Sequence, residues 1–246
     1  MPALSPDLDI ETPRKAMADT TRCQLEGVLD TDTLAAARAA VDEVPRWTLV
    51  TKLHGKHFDL DSDAMAAQSP AQRADFQRHV DAEAQRGFAY LYDSYSLYDK
   101  WHKGELRAEA PALCDLYEMI NSEVFLEPMR KVLDAPAISF ADAQLTRYTA
   151  GHFLTTHDDG VAGKNRVAAY VLTLSERWGK AWGGLLEFYK PDGSVDTAFV
   201  PRGNTLSMFR VPQPHAVTRV GDKVKAARVS ITGWLRTGED PGPGGT

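Results

Sequence analysis

The chain has 246 residues, 43% of them hydrophobic, which is enough for one sizeable core. Its formal net charge of −6 and its lack of a dense Lys/Arg run exclude a phosphate-tracking surface, so nucleic acid is not an expected partner. A run of about 18 apolar residues, the minimum for a spanning helix, is absent, so no membrane span is expected. The two cysteines, Cys23 and Cys114, are too few for a disulfide scaffold and predict a reducing, cytoplasmic setting.

Residues 1–20, rich in Pro and Asp at their start, read as a disordered extension with neither a secretory signal nor a span. Leu25, Val28 and Leu29 form a short apolar segment. Asp30 or Thr31 then caps a helix whose stripe is Leu34, Ala37, Val41 and Val44, and Pro45 ends it. Two strands, Trp47–Val50 and His57–Leu60, follow around a turn at Gly55. Ser69 and Pro70 open a polar helix with a thin stripe of Phe76, Val80 and Ala84, and Gly87 closes it. Phe88, Tyr90 and Tyr92 show strand alternation, whereas Tyr95, Tyr98 and Trp101 recur every three residues. Packing is the commoner role for such aromatics. The strongest helix begins at Pro111, with Leu113, Leu116, Tyr117, Ile120 and Val124 on one side, and Pro128 is expected to kink or restart it.

From Ala137 onward short β segments alternate with turns. The pattern predicts strands at Ile138–Tyr148, Phe153–Asp158, Arg166–Leu174, Leu185–Tyr189, Asp196–Phe199, Thr205–Arg210, His215–Val220 and Ala226–Leu235. Such a series suggests a sandwich or jelly roll, with the helical first half packed on the outer face of one sheet. The organisation expected is one domain over 21–237, made of a helical support region (21–137) and a β core (138–237), with a disordered tail at 238–246.

Chemistry concentrates between Arg147 and Asp159. His157 and Asp159 lie two apart, so in an extended segment both side chains leave the same face. His215 follows on a later strand after Pro212 and Pro214. Two imidazoles and one carboxylate with open remaining positions suit a non-haem Fe(II) centre. H-x-D alone is a weak signal, as a second copy at His57 and Asp59 illustrates. That copy lacks a strand-borne Arg at a matching interval, so a solvated or core role is its default. Thirteen residues after His215 comes Arg228, which alternation places on one face with Ser230 and Thr232. A guanidinium buried there requires an anionic ligand.

These residues resemble the catalytic core of the Fe(II)- and 2-oxoglutarate-dependent dioxygenases, in their prolyl-hydroxylase branch. The resemblance rests on Tyr148, the His157-Asp158-Asp159 triplet, Arg166 opening a strand, Trp178, the Gly183-Gly184 pair before LLEFY, His215 and the closing ARVSITGWL. It covers residues 138–236 and is strongest to the subgroup that hydroxylates a proline of a ribosomal protein. It implies a mainly β fold with a helical N-terminal half, a double-stranded β-helix (jelly roll) flanked by α-helices. It further implies Fe(II) held by His157, Asp159 and His215, 2-oxoglutarate with its distal carboxylate on Arg228, O2, ascorbate as a candidate reductant, and Tyr148 facing the cofactor pocket. Thr173 stands where relatives carry a second Tyr, and its hydroxyl has a shorter reach.

The activity so implied is hydroxylation of a prolyl residue in a protein or peptide, with succinate and CO2 as co-products. The alternatives are hydroxylation of a small molecule, such as a free amino acid or metabolite, and a non-catalytic metal and keto-acid binding module. Gly160–Asn165 and Trp178–Gly184 are the candidate substrate-contacting loops.

Overall fold

The structure, a computed structural model, describes residues 1–243. Chain order is α1 (Glu11–Thr20), β1 (Arg22–Glu26), α2 (Thr31–Asp42), β2 (Thr48–Leu53), β3 (Lys56–Asp61), α3 (Ser62–Ala66), α4 (Pro70–Ala84), β4 (Tyr90–Ser96), α5 (Leu97–His102), α6 (Leu106–Glu109), α7 (Pro111–Ile120) and α8 (Glu123–Leu133). The second half is all strand apart from one short 3₁₀ turn: β5 (Ile138–Ala141), β6 (Gln144–Tyr148), β7 (Phe153–His157), β8 (Arg166–Thr173), β9 (Leu186–Tyr189), β10 (Val195–Phe199), β11 (Thr205–Arg210), β12 (His215–Val217) and β13 (Arg228–Thr237). Among the described residues no helix is long and apolar enough to cross a membrane.

The strands form one antiparallel sheet in the order β1-β11-β8-β13-β6-β4-β7-β12-β9-β10, with β2 and β3 continuing from β4. It curls until strands remote in that order touch. Phe209 of β11 lies 5.1 Å from Phe188 of β9 and 4.4 Å from His215 of β12, centroid to centroid. Alternation assigns the two faces. Leu145, Leu172, Leu206, Val229 and Ile231 point outward into a core shared with α7 and α8, and Ala169, Val171, Leu186, Phe188 and Phe209 point inward. The helical half thus backs the sheet on which the site is built, and the jelly roll expected of the β half is the fold observed.

Four expectations change. Residues 1–20 are not a structureless extension, because α1 packs on α8 and β1 and buries Pro13 and Met17. Of the tail, residues 244–246 lie outside those described, and Asp240 accepts hydrogen bonds from Tyr98 and, at 3.2 Å, faces His102. The segment 138–148 is two strands, since Asp142 leaves the ladder to accept the Trp234 N–H on its side chain at 2.7 Å. The long helix breaks at Asn121 and Ser122, before Pro128, which sits inside α8. There Asn121 accepts the Ala141 N–H at 2.9 Å and donates to the Ala141 carbonyl at 3.0 Å, a strand-like pairing that competes with helix continuation.

Gly183 is required by both space and backbone conformation. Gly183 has φ 75° and ψ −155°, a region essentially closed to other residues, and a Cβ there would stand 1.9 Å from the Arg219 carbonyl oxygen. Gly183→Ala is expected to lower stability by about 2–5 kcal/mol from backbone strain plus overpacking, read as a fall in Tm.

Candidate metal centre

β7 and β12 are neighbours, and their register sets His215 directly opposite His157. β7 ends at His157, so Asp159 comes back to the same point from a turn rather than along the strand. Its φ of 62° is left-handed, a conformation that Asp tolerates better than most residues. His157 Nε2 lies 3.3 Å from Asp159 Oδ1, and His215 Nε2 lies 3.4 Å from Asp159 Oδ2. Ligands about 2.1 Å from one ion and at right angles stand roughly 3 Å apart, so these three donors fit a single metal. They are the only such cluster of three or more among the described residues.

Both imidazoles are aimed for that role. The Nδ1–H of His157 donates to the Thr155 carbonyl at 3.0 Å, and that of His215 to the Gln213 carbonyl at 2.8 Å. A carbonyl can only accept, so Nδ1 carries the proton and Nε2 of the neutral ring is left with its lone pair facing Asp159. Burial, helped by the neighbouring His157, lowers the His215 pKa to about 4, which keeps that ring neutral. Burial pushes the Asp159 carboxyl up, but its setting beside the His157 and His215 rings outweighs this, and the net shift is downward.

The turn carrying Asp159 is pinned from outside. Arg166 donates to the Asp159 carbonyl at 3.0 Å and lies 3.5 Å from the Trp234 ring centroid. The Trp234 indole N–H also faces the Asp159 carboxylate, a smaller lowering influence that falls short of a formed hydrogen bond. Gln213 N–H donates to the Asp158 carbonyl at 3.1 Å, tying the strand that brings His215 to the turn that brings Asp159.

A cavity of about 480 Å³ opens over the three donors. Arg228, opposite Tyr148 in the β13–β6 register, lines it with 2% of its surface exposed. Its Nε and Nη1 have no hydrogen-bond partner, and the Tyr148 ring lies 5.2 Å away. Burial holds the guanidinium below its ordinary pKa and, with no carboxylate beside it, a buried donor pair faces the cavity unmatched. Tyr148 stacks on Tyr92 at 5.1 Å, and burial raises its pKa, so it stays a neutral phenol.

The structure therefore gathers His157, Asp159, His215, Tyr148 and Arg228 around one cavity. Thr173 is not among the lining residues; it is buried between Ser230 and Thr205 in the sheet. Gly160 and Val161 border the cavity as expected, but the Trp178–Gly184 segment does not. Trp178 donates to the Gly183 carbonyl at 2.7 Å and packs behind Arg228, with Gly184 between the two side chains. The aromatic segment divides, by alternation within β4 for Tyr95 and by the start of α5 for Tyr98. Tyr90 and Tyr92 line the cavity, whereas Tyr95 and Tyr98 are core. Gln144 and Thr146 also line it and were not singled out from the sequence; alternation from Tyr148 back along β6 was the available signal, whereas Trp234, which lines it too, belongs to the closing ARVSITGWL.

Residues 143–236 match the model of the 2OG-Fe(II) oxygenase superfamily. Over 120 residues the chain is 29% identical to prolyl 3-hydroxylase OGFOD1 of Xenopus laevis, a match covering 46% of this chain and 23% of that protein's own length. Among solved structures it resembles a Pseudomonas putida prolyl-4-hydroxylase (18% identity, TM-score 0.59, covering 94% of this chain and 100% of that one). It also resembles a Trichoplax adhaerens prolyl hydroxylase in complex with a hypoxia inducible factor peptide fragment (14% identity, TM-score 0.60, covering 93% and 89%). The β core of this chain, residues 143–236, thus matches the 2OG-Fe(II) oxygenase model, and its fold is similar to that of these solved structures.

Proposed function

We propose that this chain is an Fe(II)- and 2-oxoglutarate-dependent dioxygenase that hydroxylates a prolyl residue of a protein or peptide. The observation that carries the reading is Arg228, a buried cation with two unmatched donors in the same cavity as two imidazoles and a carboxylate. Free binding of a metal would not require it; a dicarboxylate that also reaches the metal would. His157, Asp159 and His215 would hold Fe(II), and Arg228 with Tyr148 would receive the distal carboxylate of 2-oxoglutarate. When bound, iron and co-substrate supply the oxidising chemistry, consuming O2 and releasing succinate and CO2.

The chain's own part is placement and exclusion. Fixed Nδ1–H donors hold the two imidazoles in one tautomer. Phe188, Phe209, Leu186 and Val171 form an apolar wall that keeps water from the interior. A polypeptide substrate is favoured by the mouth, where the lining residues Phe88 and Val161 are exposed at 42% and 49%. The relatives named above are prolyl hydroxylases, one of them captured with a peptide. Both cysteines are free, which suits a reducing, cytoplasmic setting, and ascorbate is the reductant to include in assays.

Anaerobic addition of Fe(II) and then 2-oxoglutarate to the metal-free protein is expected to raise a weak visible charge-transfer band. A metal-loaded protein that gives no band with 2-oxoglutarate overturns the assignment and favours a binding module without turnover.

A further inference from the structure

The second H-x-D pair, His57 and Asp59, takes no part in the metal centre. β3 carries both on the face that turns toward the cavity, and His57 lines its mouth together with Tyr90. His57 Nε2 lies 2.9 Å from Asp59 Oδ1, and His57 Nδ1 lies 2.7 Å from the Tyr90 hydroxyl. A carboxylate can only accept, so the proton of the neutral ring sits on Nε2 and Nδ1 is the acceptor. Tyr90 must then donate its hydroxyl proton to His57, and the lone pairs of its oxygen are what remain for a ligand.

The hairpin bearing this arrangement is held in place. His54 and Gly55 both have positive φ, the two-residue turn that matches strand twist. Their N–H groups donate to the Glu83 carboxylate of α4 at 3.1 and 2.9 Å. Lys52 donates to the Phe88 carbonyl at 3.0 Å, and Phe88 bridges the Tyr90 ring and the ligand His157, 5.4 Å from each. Burial and the charge of Asp59 hold the Tyr90 phenol above its ordinary pKa, so it keeps the proton it donates. The plain alternative is a solvated surface pair, since the His57 and Asp59 side chains are 53% and 64% exposed. Exposed ion pairs add little to stability. A pair serving the surface alone would not need to orient a third group that lines the cavity.

We infer that Asp59 and His57 position Tyr90 so that its oxygen accepts a hydrogen bond from a substrate backbone amide next to the residue to be hydroxylated. The inference rests on the peptide reading above. A prolyl nitrogen carries no N–H, so the target's own amide cannot be gripped by an acceptor. The N–H groups of its neighbours lose water on docking and need a partner. Tyr90 supplies one at the rim, where it sets the register of the polypeptide over the metal.

Two measurements test this. Long-range 1H–15N correlation on the metal-free full chain should find His57 as the Nε2–H tautomer, and Asp59→Ala should lose that preference. A dominant Nδ1–H form in the wild type overturns the inference. Peptides acetyl-Ala-Ala-Xaa-Pro-Xaa-Ala-Ala-amide, randomised at Xaa, would then be assayed for stimulated conversion of 2-oxoglutarate to succinate. The series would be unmodified, N-methylated before the proline, and N-methylated after it. One methylated series should show KM raised about tenfold in the wild type, the worth of one hydrogen bond. Tyr90→Phe should raise KM for unmodified peptide by the same factor and cease to discriminate the series, with KM for 2-oxoglutarate unchanged. Turnover in which wild type and Tyr90→Phe discriminate alike, or not at all, overturns the inference alone. An intact charge-transfer band with no peptide stimulating turnover overturns the peptide reading and this inference with it.

Discussion

Asp159→Ala is expected to abolish 2-oxoglutarate turnover, by on the order of 10³-fold or more if the lost ligand is worth several kcal/mol of transition-state stabilisation. Asp159 supplies the only negative charge among three donors that face one point. Without it, two neutral imidazoles must hold a divalent ion in an apolar cup, and both affinity and geometry go. Folding is a separate matter. The carboxylate makes no hydrogen bond that the strands depend on, and the turn is pinned through the Asp159 carbonyl by Arg166, which survives the substitution. Alanine at φ 62° costs about 1 kcal/mol more than a residue at ease there, a Tm loss of about 2–4 °C for a chain of this size. Activity measured against anaerobic Fe(II) titration, with Tm as the control, checks this. Undiminished turnover with a normal Tm would remove Asp159 from the metal site.

The parts of this site that could be read from the sequence are those that depend on strand alternation. Arg228, Ser230 and Thr232 share a face of β13 whatever the neighbouring strands do, and the register with Tyr148 adds the partner. The H-x-D pair was identifiable for a reason that only partly holds. His157 ends β7, and Asp159 reaches the centre through a left-handed turn rather than by continuing the strand. His215 facing His157 is a fact of register between segments far apart in the chain, which no local pattern contains. The same limit explains Asn121, whose side chain pairs with Ala141 and breaks a helix that its own periodicity would have continued. His57 and Asp59 looked like an accident of spacing because their partner, Tyr90, sits two strands away. In each case the missing information was a tertiary contact. Local propensity is a weak prior against such a contact.

Removing the charge of Arg228 is expected to have two effects of opposite sign. In Arg228→Met the side chain keeps much of its length and apolar stem while the guanidinium goes. In the ligand-free protein that guanidinium is 2% exposed, with Nε and Nη1 unmatched and only the Tyr148 ring nearby to offset its desolvation. Replacing buried ionic groups by packed apolar ones is often neutral or stabilising by about 1–4 kcal/mol, so the metal-free variant should melt no lower than wild type, and up to several degrees higher. The co-substrate behaves in the opposite way. Losing the buried partner of a carboxylate costs about 2–5 kcal/mol, a rise of roughly 30-fold to several thousandfold in the 2-oxoglutarate requirement. Ligand at 100 times its Kd stabilises the state that binds it by about 2.7 kcal/mol, so Fe(II) with 2-oxoglutarate should raise the wild-type Tm and leave that of Arg228→Met nearly unmoved. A structural arginine would give the reverse pattern, with a lower Tm in the metal-free variant and an unchanged response to 2-oxoglutarate. Thermal scans of both proteins with and without the co-substrate separate the two. The wild type holds a buried cation whose Nε and Nη1 have no hydrogen-bond partner among the described residues, a cost that the carboxylate of bound 2-oxoglutarate would offset.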